Sequence, residues 1–130
     1  MGDMGPRKPA RILIADDHDL MRQAIRELVE TCRDFEVVGE AKNGLNAVEL
    51  ARRLHPHIVL MDFHMPVMDG REATRTIRRE LPDIGVIGLS VHPQTETLMR
   101  DAGACALVQK TEIFTELYPA IFTALKTGSA

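Results

Sequence analysis

The stretch Ile58-Val59-Leu60-Met61-Asp62-Phe63-His64-Met65-Pro66-Val67-Met68-Asp69-Gly70 opens with four apolar residues that run straight into a lone carboxylate, Asp62. The chain then turns through Met65, Pro66 and Asp69-Gly70. An apolar run that short, bounded by turn residues, is the pattern of a strand buried on both faces. Asp62 stands where that strand surfaces. In an open parallel sheet, ligand sites lie just beyond the carboxyl ends of the strands, so a carboxylate at this point is a functional candidate. The plainer alternative is that Asp62 caps the following helix. Asp69 lies nearer the next helical pattern and fits that cap better.

Outward from this strand, the chain alternates strand and helix. Arg11 to Ala15 is a short apolar run that ends in Asp16-Asp17-His18-Asp19. From Leu20, two rows recur at helical spacing, Leu20, Ala24 and Leu28 beside Met21, Ile25 and Val29, and predict one apolar helix face. The acidic start suits the helix dipole. Phe35 to Val38 is a second strand leading to Gly39, and Asn43-Gly44 opens a helix with Ala47, Val48, Ala51 and Leu54 on one side, closed before Pro56. Past the central strand, Ala73, Ile77 and Leu81 mark a third helix. Gly85 to Leu89 is a fourth strand ending at Ser90, and Pro93 suits the first turn of a weakly patterned fourth helix running to Gly103. Ala104 to Val108 is a fifth strand, followed after Gln109 by Lys110. A broad apolar face, Ile113, Leu117, Ile121 and Leu125, makes the last helix, with a kink or late start expected at Pro119. Five strands alternating with five helices through short connections predict an α/β, three-layer, doubly wound (βα)5 fold of flavodoxin-like type. Its parallel sheet takes the order 2-1-3-4-5.

Composition bounds the rest. The 130 residues make one domain; apolar residues at 45% and charged residues at 27% are ordinary for a soluble protein. Residues 1–10 read as a flexible lead-in or linker, 11–126 as the domain, and 127–130 as a disordered tail. A formal charge of −3 and no basic cluster beyond Arg52-Arg53 and Arg78-Arg79 exclude direct nucleic-acid binding. Those arginine pairs are most simply solvated helix faces, and His55 and His57 solvated loop residues. No apolar run approaches the roughly 20 residues of a membrane span. Cys32 and Cys105 are expected as reduced thiols, which predicts a cytoplasmic protein.

A parallel sheet gathers the carboxyl ends of its strands on one edge, and with them Asp16, Asp17, Asp62, Ser90 and Lys110. Three carboxylates that close cannot all stay ionised unaided, so a cation must sit among them. A hard divalent ion held by a few oxygens and several waters is what Mg²⁺ prefers, and Lys110 adds a point charge. Such a site would receive a phosphoryl group, with Ser90 as a hydroxyl donor and a carboxylate as nucleophile.

Together Asp16-Asp17, the DFHMPVMDG segment, Ser90 and Lys110 closely resemble the signature of the response-regulator receiver domain of two-component signalling, over about residues 11 to 126. The resemblance implies that Asp62 accepts a phosphoryl group from a histidine kinase or phosphotransfer protein. It implies that Asp16, Asp17, Asp62 and the backbone carbonyl of His64 bind Mg²⁺, and that Ser90 and Lys110 contact the phosphoryl oxygens. It further implies that the domain catalyses its own phosphotransfer and slow autodephosphorylation and switches conformation for signalling. His64 and His92, each two residues past a site residue, are placed at the mouth of the pocket. Leu107 stands where many receivers carry an aromatic switch residue, and Thr111 where many carry proline, which predicts an ordinary trans bond. A kinase contact near Met21 and Arg22 would be typical of the family, and the apolar excess on the last helix leaves room for a homodimer.

An interaction module that keeps the fold and works without phosphorylation is the alternative, against which the complete acidic set stands. A haloacid-dehalogenase-like phosphatase would want a second Asp where this chain has His64. The output lies outside the chain: a single-domain regulator, the receiver half of a DNA-binding regulator and the terminal receiver of a hybrid kinase all remain open. The segments VIGLSVH and MRDAGA resemble receivers of the last two kinds, joined to helix-turn-helix outputs or kinase modules.

Overall fold

The computed structural model describes residues 8–128. They form β1 (Ala10–Ala15), α1 (Asp19–Thr31), β2 (Phe35–Ala41), α2 (Gly44–Leu54), β3 (Ile58–Asp62), α3 (Gly70–Glu80), β4 (Gly85–Ser90), α4 (Pro93–Ala102), β5 (Ala106–Gln109), a 3₁₀ turn (Lys110–Glu112) and α5 (Ile113–Gly128). The strands pair in parallel in the order β2-β1-β3-β4-β5, as the alternation of elements predicts. Strand order reverses between β1 and β3, so the chain ends that flank this crevice converge on one edge.

Period-two alternation sorts the strand side chains onto two cores. Ile12, Ile14, Ile58, Leu60, Ile87 and Leu89 face α1 and α5. Leu13, Ala15, Val59, Met61 and Val86 face α2, α3 and α4. Every residue of β3 is buried, as its unbroken apolar run requires. At about 1.5–3 kcal/mol for each fully buried large apolar side chain, the central strand anchors both layers.

Helices α2 and α3 start on side-chain caps. The Asn43 side chain accepts the Asn46 amide, and the Asp69 side chain accepts the Glu72 amide at 2.8 Å, so Asp69 and not Asp62 is the cap of α3. Gly103, at φ 115°, closes α4 in a left-handed turn that a side chain would strain.

Several expectations change in the fold. In α1 the buried stripe is Arg22, Ile25 and Val29, with Met21 and Leu28 half-buried, while Leu20 is 82% exposed and Ala24 is also outside. One sheet face covers only one helix stripe, and the inward row here takes Arg22, whose guanidinium is neutralised by partners. Strand β2 runs through Gly39 to Ala41, because its register against β1 shifts between Ile12 and Leu13, leaving Val38 as the extra residue of a bulge. Strand β5 begins at Ala106, later than Ala104. Helix α5 starts at Ile113 and continues through Pro119 without a late start. It reaches Gly128, so helix occupies 127 and 128 of the expected tail; residues 129–130 lie outside the described residues. Of the expected lead-in, residues 1–7 lie outside them too, and Ala10 already pairs with Phe35.

Residues read as merely solvated also hold the layers. His57 is exposed, yet its Nδ1 accepts the Arg11 amide at 2.9 Å. Arg52 makes two bonds to Glu80, at 2.8 and 2.9 Å, joining α2 to α3. Arg78 donates to the carbonyls of Pro82 and Ile84. Tyr118 donates to the Leu28 carbonyl, tying α5 to α1.

Gly70 lets α3 begin directly against the end of β3: its amide donates to the Phe63 carbonyl at 2.8 Å, and a Cβ there would lie 1.9 Å from the Asp62 carbonyl oxygen. Gly70→Ala must displace backbone and is expected to lower stability by about 1–3 kcal/mol in urea unfolding. At Gly39 an added Cβ meets only the side-chain tips of Leu54 and Leu13, at 2.9 and 3.3 Å. Gly39→Ala should therefore cost less, and a loss equal to that of Gly70→Ala would contradict the contact just described.

Candidate functional site

The carboxyl edge of the sheet brings together Asp16, Asp17, Asp62 and Lys110, and Ser90 ends the neighbouring strand β4. β1 ends at Ala15, and the Asp16 amide donates to the Ala41 carbonyl at 3.0 Å, which fixes the acidic turn against β2. Asp16 is fully buried and Asp62 is 3% exposed. Lys110, delivered by β5 into the 3₁₀ turn, places Nζ 2.9 Å from Asp16 Oδ2 and 3.1 Å from Asp62 Oδ1. The Phe63 amide also donates to Asp62 Oδ1, at 2.9 Å, whereas Asp62 Oδ2 is buried without a hydrogen-bond partner.

Burial pushes the Asp62 carboxyl above its usual range, and neighbouring Asp16 adds to this, while Lys110 and the Phe63 amide oppose it. The pocket thus holds one more negative charge than its ammonium neutralises comfortably. Ligand atoms of Asp16, Asp17, His18 and Asp62 all lie within 4.8 Å of one another, a spacing able to hold a metal ion. An oxygen-rich donor set with an orphaned buried carboxylate oxygen fits a hard divalent cation. His64 is exposed, stacks edge-on against Phe63 at 4.7 Å, and lines an open cleft of about 380 Å³ with Asp17, Met65 and Pro66.

Ser90 reaches the same edge, but its hydroxyl is engaged on the α4 side. Its Oγ donates to the His92 carbonyl at 2.8 Å and lies 2.9 Å from Thr95 Oγ1, which itself donates to that carbonyl at 2.7 Å. Thr95 is buried and was not singled out from sequence; its place in the first turn after Pro93, five residues from Ser90, is the signal that could have found it. By resemblance Arg22 lies near a surface kinase contact. It is buried instead, with Nη1 donating to the Asp16 carbonyl at 2.9 Å and its other nitrogens to Asp19 and Glu40. The loop after Asp62 carries Val67 at φ 72°, a left-handed conformation that β-branched residues rarely adopt.

Residues 12–122 match the family model of the response regulator receiver domain. The chain belongs to this family of two-component receiver domains, and its fold is the flavodoxin-like fold of that family. It is 36% identical to the response regulator protein VraR of Staphylococcus saprophyticus over 115 residues, covering 87% of this chain and 55% of that protein. It is 39% identical to the transcriptional regulatory protein LiaR of Bacillus subtilis, covering 89% of this chain and 56% of LiaR. The chain therefore spans about half the length of these curated relatives. Among solved structures it superposes on the response regulator domain of Thermotoga maritima CheB with a TM-score of 0.85 at 29% identity, covering 92% of this chain and 98% of that one. A LuxR-family response regulator from Aurantimonas superposes with a TM-score of 0.86 at 34% identity, covering 92% and 87%.

The raised Asp62 pKa has a sign that stability can report. The native state holds this proton more tightly than the unfolded chain, so its contribution is fully present below the unfolded pKa and is lost as pH rises through the folded one. Near neutral pH in chelator, Asp62→Asn should unfold at a higher temperature than the parent, because the ionised carboxylate is the destabilising form and Lys110 keeps Asp16 as its partner. The difference should shrink on acidification. A lower midpoint for the variant at neutral pH would overturn the assignment of burial as the dominant cause.

Proposed function

We propose that the domain, spanning residues 11–126, accepts a phosphoryl group on Asp62 from a histidine kinase or phosphotransfer protein and passes the change to an output or kinase module outside this chain. The observation that carries this is the buried carboxylate at the end of β3, held at 3.1 Å by Lys110 beside two further acids. Asp62 Oδ1 is fixed by the Phe63 amide and Lys110, which orients the carboxylate for attack on phosphorus. As the new P–O bond forms, the P–N bond to the donor imidazole breaks and its electron pair returns to the ring. Lys110 then meets a phosphoryl oxygen, and Ser90 exchanges its bonds at α4 for another, which is the event that moves the loop after β4. Leu107 packs against the Met99 layer and has no polar tip to exchange, so the switch runs through Ser90 and Thr95.

Asp16, Asp17 and Asp62, with the His64 carbonyl, would hold Mg²⁺. When bound, the ion offsets charge on the carboxylate and the phosphoryl oxygens. No helix among the described residues is long and apolar enough to cross a membrane. A cytoplasmic setting, where a kinase would meet the domain, accords with the free thiols of Cys32 and Cys105.

The donor would dock over α1. Leu20, Met21 and Ala24 line an apolar groove of about 520 Å³ with His18, Val91 and Lys110, so the exposed row of α1 borders the pocket itself. An apolar helix face of the donor fits this groove.

Acetyl phosphate with Mg²⁺ should add one phosphoryl group by intact mass, and chelator should abolish the gain. Retention of the added mass by Asp62→Ala would refute the assignment. Leu20→Glu should slow transfer from a phosphohistidine donor by about tenfold, as expected for an interface anchor worth more than 1 kcal/mol, while leaving acetyl phosphate labelling unaltered. Equal slowing of both reactions would show that Leu20 does not act through docking.

A further inference from the structure

We propose that His18 is a side-chain ligand in the acidic pocket, so that together with Asp16, Asp17 and Asp62 it binds a borderline divalent cation of the Co²⁺ or Zn²⁺ class more tightly than Mg²⁺. The proposal deepens the pocket assigned above and rests on it. His18 holds the N-cap position of α1, where a short polar side chain would ordinarily accept a helix amide, but its side chain makes no capping bond. Its backbone amide instead donates to Asp16 Oδ1 at 2.9 Å, which folds the turn so that the ring lies over the acids. Nδ1 stands 3.2 Å from Asp16 Oδ1 and 3.2 Å from Asp17 Oδ1.

The 3.2 Å approach to Asp16 is a hydrogen-bond distance, and it also suits a shared ion. Donors held at about 2.0–2.1 Å around one metal lie roughly 2.8–3.4 Å apart along the edges of an octahedron or tetrahedron. The two flanks of Asp16 are divided between different partners, with Lys110 at Oδ2 and His18 at Oδ1, so the ammonium does not occupy the corner that the imidazole faces. Asp62 Oδ2, buried and without a hydrogen-bond partner, is a separate oxygen in the pocket with its lone pairs open to the same ion.

A nitrogen donor changes which ion is preferred. Carboxylates and water suit Mg²⁺, whereas imidazole adds affinity for Co²⁺, Ni²⁺ and Zn²⁺, which already bind mixed nitrogen and oxygen sets more strongly. To reach the ion the ring would exchange its Nδ1 contact with Asp16 Oδ1 for the metal. Three carboxylates, one ammonium and one divalent ion leave the pocket without net charge.

The test uses the full chain without an affinity tag, stripped with chelator, and titrates Co²⁺ by its visible absorption and Mg²⁺ by calorimetry. The parent should bind Co²⁺ at least about tenfold more tightly than His18→Ala, since even an outer partner of a ligand is worth that much. Mg²⁺ affinity should move by less than about twofold, because that ion takes oxygen ligands. His18→Gln should lose Co²⁺ affinity as His18→Ala does, and the ring's exposed position lets both variants fold. Equal Co²⁺ binding by parent and His18→Ala would overturn the proposal, as would loss of Co²⁺ affinity with His64→Ala/His92→Ala in place of His18→Ala. Phosphorylation of the parent with Mg²⁺ is scored separately, so a pocket that binds Co²⁺ through His18 yet never phosphorylates would sink the proposed function alone.

Discussion

Lys110 lies within 3.1 Å of both Asp16 and Asp62, and most of the architecture serves to bring one ammonium to two buried carboxylates. Carboxylates this close oppose one another, and burial raises the cost of keeping them ionised. The fold meets this with the lysine, the Phe63 amide and the Asx turn of Asp16, but leaves Asp62 with a pKa above its ordinary range. The residual imbalance is what the proposed phosphoryl group and cation would correct.

Behind the pocket, a second set of charges holds the acidic turn in place. Arg22 reaches from α1 to the Asp16 carbonyl, and Glu40 on β2 receives bonds from both Arg22 and Arg26. A buried guanidinium with three oxygen partners is satisfied, whereas removal of one acid would strand it. The inward turn of Arg22 also explains the exposed row of α1. Once the guanidinium takes the inner stripe, Leu20 and Ala24 are left on the rim, beside the pocket, where a donor would arrive.

Much of the fold was legible because β3 and β1 are buried on both faces and carry no competing signal. The site residues were legible for a related reason: Asp16, Asp62 and Ser90 are each the first polar residue after an apolar run and Lys110 comes one residue later, after Gln109, so finding the strand ends found all four. Signals that depend on tertiary partners stayed hidden. The inward face of α1 could not be told from period alone, because Arg22 counts as polar until Glu40 and Asp19 are known to surround it. Strand β2 was cut short at Gly39, since a glycine suggests an end where the chain in fact bulges and continues. Thr95 has no hydrophobic pattern to mark it, only its place in the first turn after Pro93, and the role of His18 depends on the fold bringing its ring beside Asp16 and Asp17.

The pocket's charges come from widely spaced parts of the chain, Asp16, Asp62 and Lys110, and the counter-ion is carried by β5, the shortest strand and an edge strand with a single buried residue. In a nascent chain the acids of β1 and β3 are made well before their lysine. Asp16 and Asp62 can therefore be buried with their counter-charge only once β5 has joined the sheet. The same dependence holds after folding. Local opening of the sheet's frailest edge removes the ammonium, so a breathing motion far too small to unfold the domain would suspend its chemistry.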